Sequence, residues 1–175
     1  GQLFERLRIG KQYLTIENSE LGNKWVWSID FKKFRSKGKK APESVLGADG
    51  IFEIKLKNRG RIQQKSLLFQ AKNDWKHKDI KLFEQSIKML TWREAATIIN
   101  YSQNQIETFD ISEVVRSQGA RPENNLPLDF LLGQDFLNCR IGDSDLMYDA
   151  LRKELKWLDV NDKYVATKFM TKDRL

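Results

Sequence analysis

The sequence predicts an α/β domain, a mixed central sheet flanked by helices. Three observations point there. Residues 49–72 hold two runs of alternating apolar and polar side chains on either side of a turn signal. Residues 25–31 alternate in the same way, and an amphipathic helical pattern begins at Lys78, directly after the second run. With 175 residues, 40% of them hydrophobic, the chain can bury one substantial core and has no room for two large ones. Residues 1–117 are expected to form that core unit, and residues 118–175 a C-terminal helical extension packed on the same domain.

Residues 2–21 read as mostly helical, with Leu3, Phe4, Leu7, Tyr13 and Leu14 as the buried stripe. Trp25, Trp27, Ile29 and Phe31 alternate with Val26, Ser28 and Asp30, which makes a first strand whose aromatic stripe belongs to the core. A loop at 36–42 leads into a hairpin. With Arg59 and Gly60 as its central turn residues, Asn58 pairs with Arg61, paired numbers sum to 119, and Asp49 faces Gln70. Asp49, Ile51, Glu53 and Lys55 then share one face with Leu68, Gln70 and Lys72, while Phe52, Ile54, Leu56, Leu67, Phe69 and Ala71 form an apolar opposite face. A slip of one residue would scatter both sets.

From Lys78 a helix runs through Ile80, Phe83, Ile87 and Leu90, with Gln85 and Lys88 on another face. Thr91-Trp92-Arg93-Glu94 has the form of a capping box, yet residues 95–101 are short and partly β-branched, like a buried strand. The strand is preferred, and a helix-turn-helix over 91–113 is the competing reading. Residues 118–128, with Gly119, Pro122 and Pro127, form a loop. Residues 128–139 and 145–158 read as amphipathic helices, the second with Leu146, Met147, Ala150, Leu151, Leu155 and Leu158 in a stripe.

Composition excludes several chemistries. His77 and Cys139 are the only residues of their kinds, so neither a disulfide within the chain nor a Cys/His zinc cluster can form, and Cys139 is expected to be a small buried hydrophobe. No glycine-rich phosphate loop occurs. No apolar run is long enough to span a bilayer and no basic-then-apolar leader is present, so the expectation is a cytoplasmic protein without a membrane partner. Charge is uneven: residues 1–88 carry a balance of +10 and residues 89–175 one of −3, giving +7. Lys32, Lys33, Arg35, Lys37, Lys39 and Lys40 immediately precede the Asp49 region, a field suited to a phosphate backbone.

Asp49, Gln70 and Lys72 carry the sharpest chemical signal. A carboxylate and an amide oxygen are hard ligands for Mg2+ or Mn2+, which polarise a phosphodiester and lower the pKa of a bound water. A lysine beside them would orient that water or stabilise the pentavalent transition state. Gln-x-Lys alone is common on surface strands. Preceded by a glycine-flanked acid at the head of the partner strand, it becomes more selective.

On Gly47-Ala48-Asp49 and Leu68-Phe69-Gln70-Ala71-Lys72 the sequence resembles the PD-(D/E)xK nuclease superfamily, and within it Mrr-like restriction endonucleases and prokaryotic antiphage nucleases in which glutamine replaces the second acid. The similarity covers residues 17–102, and residues 136–143 distantly resemble the C-terminal part of such enzymes. The resemblance implies a restriction-endonuclease-like core of helix, three-stranded meander, helix and strand, with additional C-terminal helices here. It implies Asp49 and Gln70 as metal ligands, Lys72 as catalytic lysine, and magnesium-dependent cleavage of DNA, with RNA as the alternative substrate. Glu43, six residues before Asp49, resembles the additional acid of a Glu…Gly-Ala-Asp subset, and would join the metal shell. The acid expected from the first helix has three contenders, Glu5, Glu17 and Glu20, of which Glu20 is preferred. The proline of the motif name is absent before Asp49.

Other readings stand beside these. Glu43 reads equally as a loop carboxylate paired with a lysine, and Glu53 as one member of a cross-strand ion pair. His77 reads as a surface residue, Trp75 as core, and Gln85 either as a solvated helix position or as a residue aimed at the site. For the whole chain, the alternatives are a non-catalytic nucleic-acid-binding module and a scaffold whose basic face docks an acidic protein. A small basic nuclease also calls for control, by homo-oligomerisation or by a sensor or ATPase, fused or separate.

Overall fold

The structure, a computed structural model, describes residues 12–18, 23–34, 42–58, 61–149, 151, 154–158 and 164–166. The alternating runs form the middle of a seven-stranded sheet. Its strands lie side by side in chain order: β1 (Gln12–Asn18), β2 (Asn23–Lys33), β3 (Gly50–Asn58), β4 (Arg61–Asn73), β5 (Ala96–Tyr101), β6 (Ile106–Phe109) and β7 (Leu126–Pro127). All neighbours are antiparallel except β4 and β5. Between β2 and β3 lies a short helix, α1 (Pro42–Leu46). Parallel neighbours require a crossover, and α2 (Ile80–Met89) supplies it between β4 and β5. The fold class is therefore α/β, a mostly antiparallel mixed sheet with few helices.

The hairpin register is the one the alternation demands. Gly50 pairs with Phe69, Ile54 with Lys65 and Asn58 with Arg61, every pair summing to 119. Arg59 and Gly60, expected to be the turn, lie outside the described residues, and the described pairing ends at Asn58 with Arg61.

Period-2 alternation sends successive side chains to opposite faces, and both faces are buried. Ile51, Leu68, Ile98 and Phe109 pack with Leu82 and Met89 of α2 and with Ile111 and Val114 of α3 (Ile111–Arg116). Phe52, Ile54, Leu67, Phe69 and Ile99 pack on the other side against Leu128, Leu131 and Phe136. The face that carries Asp49 and Gln70 is thus also core-bearing, since Ile51 and Leu68 are fully buried beside them.

Residues 12–18, read as part of a helix, are an edge strand: Tyr13, Thr15 and Ile16 are strand formers, and β2 offers a row of backbone partners. Residues 2–11 lie outside the described residues. Residues 96–101 form β5, and Ile98 and Ile99 sit one on each face of the sheet, so no helix-turn-helix exists at 91–113. The capping-box residues form only a 3-10 turn, Leu90–Ala95.

Of the two C-terminal helices expected, the first forms as α4 (Leu128–Phe130), which runs on into a π-helical turn, Leu131–Phe136. The second does not. β8 (Leu146–Asp149), β9 (Glu154–Leu158) and β10 (Tyr164–Ala166) make a three-stranded antiparallel sheet instead. In this segment Leu146, Tyr148 and Leu155 are buried while Leu151, on the expected stripe, is 94% exposed. The Tyr148 N–H donates to Glu53 Oε1 at 2.9 Å and its ring meets Phe34 at 4.9 Å, so pairing with β9 and docking on the main sheet outweigh the helical spacing. Among the described residues no helix is long and apolar enough to cross a membrane.

Candidate metal centre and active site

Asp49 stands one residue before β3, where the chain enters the sheet. Its N–H donates to Phe69 O at 2.8 Å and its carbonyl accepts from the Phe34 N–H at 2.7 Å, so the backbone is fixed on both sides. The side chain turns onto β4. Oδ2 accepts from the Ala71 N–H at 2.9 Å and from Gln70 Nε2 at 2.8 Å. The register that pairs Gly50 with Phe69 therefore brings Asp49 and Gln70 together, as the alternation predicts.

Glu43 sits in the first turn of α1, which begins with Pro42 and stops at Gly47. Gly47 has a φ of +75°, and a Cβ there would lie 2.4 Å from the Gln85 carbonyl oxygen. Only glycine lets the chain turn back from α1 to Asp49 while lying against α2. Burial pushes the Glu43 carboxyl up from its ordinary value, the Asp49 charge adds to that, and Lys81 and Lys33 oppose it. Burial likewise pushes Asp49 up, against the bonds from Ala71 and Gln70 and the charges of Lys33 and Lys72. Two carboxylates thus stand close enough to repel, under partial burial, with lysines around them.

Gln70 is 4% exposed, and its Oε1 accepts from Gln85 Nε2 at 3.2 Å. Gln85, 8% exposed on α2, is aimed at the site rather than solvated. Lys72 shares the face of Gln70 two residues on. Its Nζ is 2.7 Å from Asp79 Oδ2. Asp79 is the N-cap of α2, with Oδ1 accepting from the Leu82 N–H at 2.8 Å. Burial alone would raise the Asp79 carboxyl, but the bonds from Lys72, Leu82 and Lys81 outweigh it and hold the group below its ordinary value. Sequence reasoning missed Asp79 as the partner of Lys72. The signal was present, an aspartate directly before the first apolar residue of a helical run.

Glu53 is 4% exposed and forms the ion pair expected of it, with Lys32, while also accepting from Tyr148; both groups are committed to the fold. Trp75 is core, edge-on to Phe109 at 5.3 Å, and His77 is exposed. Cys139, expected to be buried, is exposed, at a chain reversal where its own φ is +60°. Glu5, Glu20 and the basic residues Arg35, Lys37, Lys39 and Lys40 lie outside the described residues, as do the side chains of Glu17, Trp25 and Trp27.

Among the described residues no group of three or more His, Cys, Asp or Glu could hold a metal ion. Asp49 and Glu43 lie within electrostatic reach of one another, and Gln70 turns its N–H end toward Asp49 and its oxygen toward Gln85. One or two carboxylates with several waters is the set from which proteins commonly bind Mg2+. Compared with protein-family models, with curated proteins and with solved structures, the chain matches none.

Proposed function

We propose that this chain is a metal-dependent nuclease, a DNA endonuclease of the PD-(D/E)xK type serving prokaryotic restriction or antiphage defence. The observation that carries the reading is the 2.8 Å contact between Asp49 and Gln70, with Lys72 on the same face and Glu43 within electrostatic reach. The order of meander β2–β4, helix α2 and parallel strand β5 supports it.

Asp49, Gln70 and Glu43 would hold the cation. The chemistry such an ion would supply there is polarisation of a phosphodiester and activation of a water near neutral pH. The chain's own groups do the rest. Lys72 has three donor hydrogens, one committed to Asp79, leaving two for phosphate oxygens at the reacting centre. Asp79 is anchored as a helix cap and fixes the position of that ammonium group. Lys33 and Lys81, which bear on the Glu43 charge, line an approach for a polyanion, and the +10 balance of residues 1–88 would raise its local concentration.

The test is incubation with plasmid and single-stranded DNA in Mg2+, Mn2+ or EDTA. The parent chain is expected to cut with either metal and not in EDTA; Asp49→Ala and Lys72→Ala are expected to lose cutting while keeping their circular dichroism. Should both variants cut as well as the parent, the assignment is wrong. A second reading, an inactive nuclease fold that only binds nucleic acid, is favoured by the closure of Lys72 onto Asp79. It expects salt-sensitive DNA binding and no metal-dependent cutting.

A further inference from the structure

Gln85 is a buried glutamine with one end satisfied and the other not. Its Nε2 donates to Gln70 Oε1 at 3.2 Å, and among the described residues its Oε1 has no partner. Gln70 in turn offers Nε2 to Asp49 Oδ2 at 2.8 Å. In this arrangement the amide end of Gln70 that faces the carboxylate is its donor end. A cation held by Asp49 and Gln70 needs the opposite end, the carbonyl oxygen, beside the carboxylate.

An amide oxygen and an amide nitrogen occupy nearly the same volume, so a half-turn of the Gln70 amide exchanges them without moving the backbone. That half-turn alone would set Gln70 Nε2 against Gln85 Nε2, donor against donor. If Gln85 turns as well, its Oε1, the atom now without a partner, accepts from Gln70 Nε2. The backbone of Gln85 is pressed against the Gly47 turn, where even a Cβ would approach its carbonyl oxygen to 2.4 Å. Amide rotation is therefore the freedom the pair retains.

We propose that Gln85 is a positioning residue that sets which end of Gln70 faces Asp49, the two glutamines forming a two-position switch that a divalent cation reverses. The proposal rests on the reading that Asp49 and Gln70 hold such a cation. Without cation, Gln70 donates to Asp49 and the carboxylate keeps a hydrogen-bond partner. With cation, both amides are reversed, and Gln85 holds Gln70 with its oxygen toward the ion. Each position leaves one end of Gln85 open, an acceptor in the first and a donor in the second, and reversal also gives up the 3.4 Å bond from Gln70 Nε2 to the Ala71 carbonyl, so the cation-free position is the resting one and a cation tips the balance.

The experiment measures Mn2+ affinity by titration calorimetry and follows the side-chain amide resonances of Gln70 and Gln85 by NMR with Mg2+. Gln85→Met keeps the volume and removes both hydrogen-bonding ends; it is expected to bind Mn2+ about 10-fold more weakly, as loss of a group that orients a metal ligand commonly does. In its ionised form, favoured by running the titration at about pH 8, Gln85→Glu accepts only, so it holds Gln70 reversed. It is expected to bind Mn2+ at least as tightly as the parent and to show the Gln70 amide at its cation-bound shift before any cation is added. Asp49→Asn distinguishes loss of the metal site from loss of the switch. If the parent binds no Mn2+, or Asp49→Asn binds it as well as the parent, the metal reading fails and the switch with it. If Asp49→Asn loses binding while Gln85→Met keeps it, or the Gln70 resonance does not move with Mg2+, the switch alone is overturned.

Discussion

Replacing Asp79 separates two tasks that one carboxylate performs. Oδ1 caps α2 by accepting from Leu82 at 2.8 Å, and Oδ2 holds Lys72 at 2.7 Å. Loss of an N-cap costs about 1 kcal/mol. The ion pair is sheltered but not buried, with side-chain exposures of 18% and 29%, so it contributes at the upper end of surface pairs, about 1 kcal/mol. Asp79→Ala should therefore lose about 2 kcal/mol, and Asp79→Asn, which can still cap, about 1. Urea unfolding at pH 7 resolves the difference, and a cycle with Lys72→Met should return a coupling of about 1 kcal/mol. If the proposed nuclease reading holds, Asp79→Asn should lower kcat for cleavage about 10- to 100-fold with little change in KM, because Lys72 loses its anchor while the proposed metal ligands stay in place. Equal stability of the Ala and Asn variants would show that capping is not what Asp79 does. Additive losses in the cycle would show that the ion pair is idle, and a fully active Asp79→Asn would show that Lys72 needs no anchor.

Gly47→Ala should cost about 3 kcal/mol in urea unfolding, because a φ of +75° is strained for alanine and its Cβ would press on the Gln85 carbonyl, which cannot swing aside; a loss below about 1 kcal/mol would mean that α1 and α2 do not meet there. Asp49→Asn should be more stable than the parent at neutral pH. Burial raises the Asp49 carboxyl in the folded state, so its contribution is fully favourable below the unfolded value, near 3.8, and is lost as pH rises through the higher folded value. The advantage of Asp49→Asn should then shrink as the pH falls from 7 toward 3.5 in thermal melts, and an advantage that grows on acidification would contradict the buried-charge account.

The hairpin was legible because three constraints agreed there. A two-residue turn fixes parity, parity fixes which side chains share a face, and only one register leaves Phe52, Leu67 and Phe69 together. That register also delivered Asp49 to Gln70. What the sequence could not show is that the Asp49 face is buried too. Ile51 and Leu68 looked like isolated apolar residues on a polar face until α2 and α3 closed over them. The C-terminal region failed for a different reason. Leu146, Met147, Ala150 and Leu151 satisfy a helical stripe, and only contacts nearly a hundred residues away, Glu53 to Tyr148, select the strand. Lys72 illustrates the same limit at the site. Its face followed from parity, but its partner came from the cap of the next helix, a long side chain meeting a residue whose position depends on how α2 docks.

On the proposed metal reading, a glutamine at position 70, where an acid would be the simpler ligand, follows from the charge already present. Glu43 and Asp49 both have carboxyls pushed up by burial, and Glu43 is pushed further by Asp49 itself. Position 70 is 4% exposed, more deeply buried than either. A third carboxylate there would meet a desolvation cost and two like charges, and in the absence of a cation it would take up a proton and act as a donor. Glutamine donates to Asp49 without titrating, and under the proposed switch it would offer its oxygen when a cation is present. With less negative charge the site should hold its ion more weakly than an all-carboxylate site of the same shape. Gln70→Glu is therefore expected to tighten Mn2+ binding by titration calorimetry while lowering stability in EDTA; a variant as stable in EDTA as the parent would show that like-charge repulsion does not govern the choice of residue at this position.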